Sequence, residues 1–309
     1  MAYMSHKGGA MNRVKIIGYG LALLAVFFWS LNVLIAQAYI THLSPMEFAF
    51  GRWVLALLIL LPIGGRQAWH SRGYLLHHFG WLVGLALSGI VLDNTLIYVA
   101  ARTVDAVNLS LLNLLGPIFL AILSVIFLKD KIGKMQMLGI GVALIGVMTI
   151  ITRGQPWEIA RIPIQRGVFW MILNAFCFAC YSLLQYARPK AMSQTGLLCA
   201  TVLVGVLILA PFFAVMDGQV LGSLTWKDYV IFVYLGVFNS VLAYLAWNSA
   251  LARLGPTETG IIYYLQPVFS MIGAYIALSS PIYVAQIVGG LLVLSGVVIV
   301  GRFQRKERV

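Results

Sequence analysis

The sequence predicts an all-α integral membrane protein: ten transmembrane helices arranged as two inverted five-helix repeats. Three observations predict it. The 309 residues are 61% hydrophobic and only 10% charged, whereas an ordinary soluble domain carries about 25% charged residues. Ten apolar stretches are long enough to cross a hydrocarbon core about 30 Å thick, which takes roughly 20 helical residues. The chain also matches itself at a displacement of about half its length.

The ten stretches fall near 17–40, 45–64, 78–101, 104–128, 132–152, 166–186, 195–215, 226–250, 256–279 and 281–301. The longest connector, RGQPWEIARIPIQR (153–166), is too short to hold a domain. The expected organisation is therefore a tail at 1–16, a first repeat at 17–152, a connector at 153–165, a second repeat at 166–301 and a basic tail at 302–309. Near the start, basic residues precede an apolar run and AQA at 36–38, as in a signal peptide. The run is longer than a signal core and has a partner later in the chain, so it reads as the first span.

A net charge of +12 raises the question of nucleic acid as a partner. The positions of the Lys and Arg answer it, because they cluster at helix ends. With the N-terminus placed inside, Arg102, Arg153, Arg161, Arg166 and Lys227 face out, Arg52 lies within a span, and all the others face the cytoplasm. That bias places both termini in the cytoplasm, with the three Arg of the central connector as exceptions. The expected partners are then the lipid bilayer, a small-molecule substrate and, as a further candidate, a proton or other coupling ion, not nucleic acid.

The self-match is clearest in LLNLLGPIF (111–119) and IIYYLQPVF (261–269). At an offset of 150, Pro117 aligns with Pro267, Phe119 with Phe269, Gly139 with Gly289 and Gly146 with Gly296. At 149 the early helices follow: Gly18 on Gly167, Leu58 on Leu207, Pro62 on Pro211. Five is odd, so the second copy enters the membrane from the opposite side. Two such halves can exchange conformations and expose a central site to each side in turn. Pro117 and Pro267 fall inside the fourth and ninth spans, where each removes a backbone donor and kinks or unwinds the helix. Paired interrupted helices point to a transport site; the alternative is a bend that merely shapes the bundle.

With ten helices in two repeats, GRW in the second, NTLIYVAARTVDAVNLSLLNLLGPIF through the third and fourth, and GIGVALIGV in the fifth, the chain resembles the EamA-type branch of the drug/metabolite transporter superfamily. The resemblance covers 17–301. It implies a bacterial inner-membrane exporter of amino acids or other small metabolites, with a cavity lined chiefly by helices 1, 3, 4, 6, 8 and 9. Members often carry Glu just after the fourth helix; here Asp130 stands there and Ser280 in the second copy, so no essential acid is assigned at that position.

Ionisable residues within spans are few, and a charge at mid-membrane costs about 2.5–3.5 kcal/mol on insertion scales. Arg52 and Asp93 lie at similar depth and are expected to pair or share a polar network, either as a static tie between helices or as substrate contacts. Asn94 and Tyr98 sit four apart on one face, and their repeat mates Tyr244 and Asn248 hold the same types in swapped order, for cavity lining or interhelical bonding. Ser110, Asn113 and Pro117 form a stripe matched by Gly260, Tyr263 and Pro267, with Gln266 alongside. Trp29, Asn32 and Tyr181 complete the candidate ring, Asn32 aligning with Tyr181. Glu258, aligned with Asn108, opens the ninth helix and serves the helix dipole there; gating or proton coupling is the sharper reading.

Other signals lead nowhere. CFAC (Cys177, Cys180) has no second pair and apolar surroundings, so packed thiols and no metal are expected. GIGVALIG follows no strand, and its glycines suit close helix contact. There is no GxxxxGK[ST] sequence, no cofactor motif and no compact His/carboxylate or Ser/Lys cluster at one depth, so neither ATP-driven transport nor an intramembrane enzyme is supported. The expected function is secondary transport of a small polar or amphipathic metabolite by alternating access. Broad efflux of aromatic or cationic compounds is the alternative, and a sensor or scaffold stands behind it.

Overall fold

A computed structural model describes residues 2–39, 44–104, 109–110, 112–129, 133–152, 154–155, 157, 166–189, 191–216, 225–278 and 284–303, and all regular structure among them is helical. Asn108, Asp130, Ser280 and most of the central connector lie outside the described residues. The helices are α1 (Ala2–Tyr39), α2 (Pro45–His70), α3 (Phe79–Ala101), α4 (Leu115–Leu128), α5 (Lys134–Ile151), α6 (Arg166–Tyr186), α7 (Gln194–Met216), α8 (Trp226–Leu254), α9 (256–278) and α10 (Val284–Phe303). A short helix, Arg72–His77, joins α2 to α3.

Local chemistry sets the helix boundaries. Ser44 and Glu47 form a reciprocal capping box at the start of α2, with Pro45 in the first turn, so the first orphan donors are satisfied before the helix enters lipid. Asp228 plays the matching part for α8, accepting from the Thr225 backbone N–H at 2.7 Å. Gly255, at φ 85°, ends α8, and Pro256 opens α9 directly. Helix α2 runs on to His70 and α8 to Leu254, past the expected ends at 64 and 250, because polar Arg and Gln are good helix formers once outside the core.

Seven of the ten expected spans meet length and hydropathy limits for crossing a membrane: Arg13–Ala36, Pro45–His70, Phe79–Ala101, Arg166–Tyr186, Gln194–Val215, Trp226–Leu254 and Pro256–Ala277. The fourth, fifth and tenth appear among the described residues as shorter apolar helices. The molecule is inside-out relative to a soluble protein. Leu58, Ile126, Phe127, Leu207, Val215 and Ile276 are exposed, whereas Asn32, Arg52, Asn94, Asn174, Asn239 and Gln266 are buried. Lipid takes the apolar surface, and polar groups must find partners within the protein.

Contacts repeat in corresponding pairs. α1 packs on α8 and α3 on α6; α1 packs on α9 and α4 on α6; α2 lies against α7, and α5 against α10. The last pair is glycine-mediated. A Cβ on Gly146 would fall 2.6 Å from the Gly289 carbonyl oxygen, and one on Gly296 would fall 2.5 Å from that of Gly139. Only glycine lets the two backbones approach this closely.

Four interruptions break the helical regularity. α3 is π-helical over Leu87–Leu92 and α8 over Leu235–Leu242. α9 tightens to a 3-10 turn at Tyr263–Leu265, directly before Pro267, and the chain turns at Asn113–Leu114 before α4 restarts ahead of Pro117. Both prolines thus occupy the first turn of a restarted helix, where their missing N–H has no partner to lose. π-segments are wider than α-turns and release carbonyls from the ladder, which explains why such segments gather at functional sites.

Candidate functional site

The interruptions converge on one cavity. Its walls come from α1 (Trp29, Asn32), α3 (Asp93, Asn94, Ile97), the turn before α4 (Asn113), α6 (Asn174, Phe178), α8 (Asn239, Tyr244) and α9 (Tyr263, Gln266). The free space at its centre is ≈ 30 Å³, room for one or two waters. The chamber is polar and narrow in this conformation.

The π-segments supply its backbone acceptors. The Gly89 carbonyl accepts from Tyr244 Oη at 2.7 Å and from Asn94 Nδ2 at 2.9 Å. Its repeat mate, the Asn239 carbonyl, accepts from Trp29 Nε1 at 3.2 Å and Arg52 Nη2 at 3.4 Å. Each widened turn therefore offers a freed carbonyl to a side chain of another helix. Gly89 is glycine because the Tyr181 ring occupies the space a Cβ would need.

Asp93 is held by neutral donors. Its carboxylate accepts from Tyr244 Oη at 3.1 Å, Asn174 Nδ2 at 3.1 Å and Asn94 Nδ2 at 3.2 Å, and Asn174 also donates to its backbone carbonyl. Arg52, fully buried, makes no direct ion pair with it, so of the two expected arrangements the structure shows the shared polar network. Instead Nε donates to Ser240 Oγ at 2.9 Å and Nη1 to Tyr98 Oη at 3.0 Å. The Asn239 amide fits when its oxygen faces the guanidinium, 2.7 Å from Nη2, and its nitrogen donates to the Phe28 carbonyl at 3.1 Å. The reason is geometric: the acceptor array of the π-segment in α8 captures the guanidinium first, leaving the carboxylate to face the chamber. The two groups share one polar wall through Asn239 and Tyr244, both of which line the cavity.

Behind the wall, the sequence-matched pairs form mirrored bonds. Tyr98 Oη donates to Asn32 Oδ1 at 2.9 Å, linking α3 to α1. At the mate positions Asn248 Nδ2 donates to Tyr181 Oη at 2.8 Å, linking α8 to α6. Tyr98, Tyr181 and Asn248 therefore brace the chamber and do not line it, whereas Trp29, Asn32, Asp93, Asn94, Asn113, Tyr244, Tyr263 and Gln266 do. Pro117 and Pro267 stand beside it at the helix restarts. Glu258 is remote from it, at the end of α9, in an ion pair with Lys15 of α1 at 2.9 Å.

Sequence reasoning missed Ile97, Asn174, Phe178 and Asn239. Two of these carried a signal. Phe178 aligns with Trp29 at the offset of 149, and their rings meet edge-on at 5.3 Å. Asn174, Phe178 and Tyr181 stand at i, i+4 and i+7, one face of α6. Ile97, one residue before Tyr98, is an ordinary apolar helix residue. Asn239 aligns with Gly89, which hides the match. Two polar atoms nearby remain without a partner among the described residues, Gln266 Oε1 and Ser110 Oγ. No group of three or more His, Cys, Asp or Glu that could hold a metal exists among the described residues.

Comparison with known proteins covers most of the chain. The profile of the EamA-like transporter family matches residues 16–152 and again 165–302. The uncharacterized transporter YyaM of Bacillus subtilis is 29% identical over 282 residues, spanning 89% of this chain and 92% of that protein. An uncharacterized transporter of Archaeoglobus fulgidus is 27% identical over 278 residues, 89% of this chain and 93% of its own. A Streptantibioticus cattleyicolor protein named "Probable terminal-alkyne amino-acid exporter" is 26% identical over 209 residues, 64% of this chain and 65% of its own. A solved crystal structure superposes with a TM-score of 0.73 at 16% identity, over 96% of this chain and 99% of the other.

Proposed function

This chain belongs to the EamA-like transporter family, and from that premise we propose that it is a secondary transporter exporting a small polar or amphipathic metabolite by alternating access. It is a multi-pass membrane protein, and its named relatives are transporters. In this reading its ten helices form two inverted five-helix repeats, 17–152 and 166–301, with both termini in the cytoplasm. The double match of the family profile supports that division.

One observation carries the proposal: three pairs of repeat mates face one cavity. Trp29 and Phe178, Asn94 and Tyr244, and Asn113 and Tyr263 each contribute one residue from each half. The brace Tyr98–Asn32 has the counterpart Asn248–Tyr181. A site shared equally by two halves opens to one side when one half moves and to the other when its mate does. Interrupted α3, α8 and α9 meet at that site, which favours it as the place where substrate is held. In this reading the substrate touches Trp29, Asn32, Asn94, Asn113, Tyr244, Tyr263 and Gln266; Tyr98, Tyr181 and Asn248 support them; and Glu258 with Lys15 gates the cytoplasmic side.

Amino-acid-like substrates are favoured by the amide-rich wall and by the name of the Streptantibioticus relative. The ring of Trp29, Phe178, Tyr244 and Tyr263 favours a second reading, efflux of aromatic or cationic compounds. Counterflow in proteoliposomes tests both: preloaded cold substrate should accelerate entry of labelled substrate, and Asn94→Leu should abolish the effect. Screening amino acids and aromatic amines without any counterflow, in liposomes where the protein is folded, would refute the transport reading.

A further inference from the structure

A second cavity, on the flank of the bundle, is more than ten times the size of the central chamber, ≈ 380 Å³ against ≈ 30 Å³. It lies between α2, from Glu47 to Leu58, Phe213 of α7, and α8 from Tyr229 to Val233. Leu58, Tyr229 and Val233 are half or more exposed, so the groove opens sideways and is continuous with the apolar surface that lipid covers. Its volume is that of a ligand site, about 300–1,000 Å³.

The repeat shows that this space is built. At the offset of 149, Phe50 aligns with Cys199 and Phe213 with Gly64. The rings of Phe50 and Phe213 stack at 4.5 Å and hold α2 and α7 apart at the groove. At the mate end of the same two helices, a Cβ on Gly64 would fall 2.7 Å from the Thr195 carbonyl oxygen and 3.1 Å from Cys199 Cβ, so there the backbones close on each other. An aromatic spacer thus stands where the other copy has a glycine contact.

The wall says what the groove takes. Glu47, its one acidic residue, sits in the first turn of α2 and accepts from the Ser44 backbone N–H at 2.5 Å; Tyr229 stands near the start of α8, at the same end. Below them the lining side chains are hydrocarbon. A polar metabolite would find no partners along that stretch. From Glu47 to Leu58 the helix rises about 16 Å, close to half of a hydrocarbon core about 30 Å thick. The groove therefore runs the depth of one leaflet, polar at the interface end and apolar beyond it, which is the polarity of a phospholipid.

The groove also backs onto the polar wall of the chamber. A Cβ on Gly51, the residue before Arg52, would fall 2.6 Å from the Phe232 ring, and one on Gly236, in the π-segment, would fall 2.8 Å from the Leu55 side chain. Phe232 and Leu55 line the groove. The same two helices are tied by Arg52 and Ser240.

We propose that the groove holds one acyl chain of a phospholipid, entering sideways from the bilayer, and that the bound chain braces α2 against the π-segment of α8. The site is independent of the transport reading above and requires only that the chain lie in a membrane.

The test is photolabelling of the purified full chain, reconstituted in phosphatidylcholine vesicles, with a phosphatidylcholine that carries a diazirine in its palmitoyl chain, followed by peptide mass spectrometry. Label should concentrate on segments 50–58 and 229–233, several-fold above the segments holding Phe127 and Ile276, which are more exposed than any groove residue. Val54→Phe with Val233→Phe fills the groove and should remove the excess while labelling at Phe127 and Ile276 stays unchanged. Leu58→Trp, at the exposed rim, should cut the excess without disturbing the packed interior. In detergent, added dipalmitoyl phosphatidylcholine should raise the Tm of the unsubstituted chain by about 3 °C or more and leave the filled variant unmoved. Labelling that merely follows exposure, an excess that survives both variants, or cross-links from the groove to a second copy of the chain would overturn the site. A Tm that rises equally in the filled variant would overturn the brace.

Discussion

Replacing Gly146 or Gly296 by Ala provides a quantitative test of the two-fold design. At Gly146 the new Cβ meets the Gly289 carbonyl oxygen at 2.6 Å and the Val293 nitrogen at 2.7 Å; at Gly296 it meets the Gly139 oxygen at 2.5 Å and the Ala143 nitrogen at 2.7 Å. Ordinary contact begins near 3.4 Å. The opposing atoms are backbone and cannot rotate away, so α5 and α10 must separate locally by about 0.8 Å, a gap that forfeits roughly a quarter to a half of each dispersion contact along it. Overpacking of this kind costs about 1–3 kcal/mol. Because the two sites are repeat mates meeting mate atoms, their costs should agree within about 0.5 kcal/mol. Gly141, on the same helix, has nothing within 4 Å of its Cβ position, so Gly141→Ala should be neutral or stabilising by up to about 1 kcal/mol through helix propensity. Thermal or denaturant unfolding in a fixed detergent measures all three. Costs at positions 146 and 296 that differ by more than about 1 kcal/mol, or that do not exceed that at 141, would refute the equivalence of the two contacts.

Two more outcomes follow from the polar wall and the ends of the bundle. Arg52→Lys keeps the charge but cannot reach Ser240, Tyr98 and Asn239 together, and should lose about 2 kcal/mol or more through forfeited charge-assisted bonds; unchanged unfolding would show that the guanidinium fork is not what ties α2 to α3 and α8. The Lys15–Glu258 pair is half-buried, Lys15 being 38% and Glu258 5% exposed, so Glu258→Gln should cost about 1–2 kcal/mol, the worth of one hydrogen bond to a charged group. It should also raise accessibility of the chamber from the Lys15 end to a thiol reagent in an Asn113→Cys background, and the exchanged pair Lys15→Glu with Glu258→Lys should restore closure. Failure of the exchanged pair to do so would remove the ion pair as a latch.

Much of the site was legible before any coordinates. Asn32, Asn94, Asn113, Tyr244, Tyr263 and Gln266 stand out because a polar residue in an apolar span has few reasons to be there. The repeat offset pairs Trp29 with Phe178 and Tyr98 with Asn248, and those positions do lie at corresponding places. Asn239 was hidden because its mate is Gly89, and the role both share is backbone: a carbonyl released by a π-turn. Side-chain pattern does not register a hydrogen-bond ladder that slips by one residue.

Composition and span length were enough to determine a helical membrane protein, since these depend on hydrocarbon thickness and on residue order alone; the family came from the resemblance of its motifs and repeat to known transporters. The tertiary structure decided where the charges go. Arg52 and Asp93 lie at similar depth on neighbouring helices, and depth by itself suggests a pair. What separates them is the widened turn of α8, which brings Ser240 and Asn239 to the guanidinium from a helix nearly 190 positions away in sequence. Competition among acceptors in three dimensions, which no linear pattern encodes, leaves the carboxylate facing the chamber.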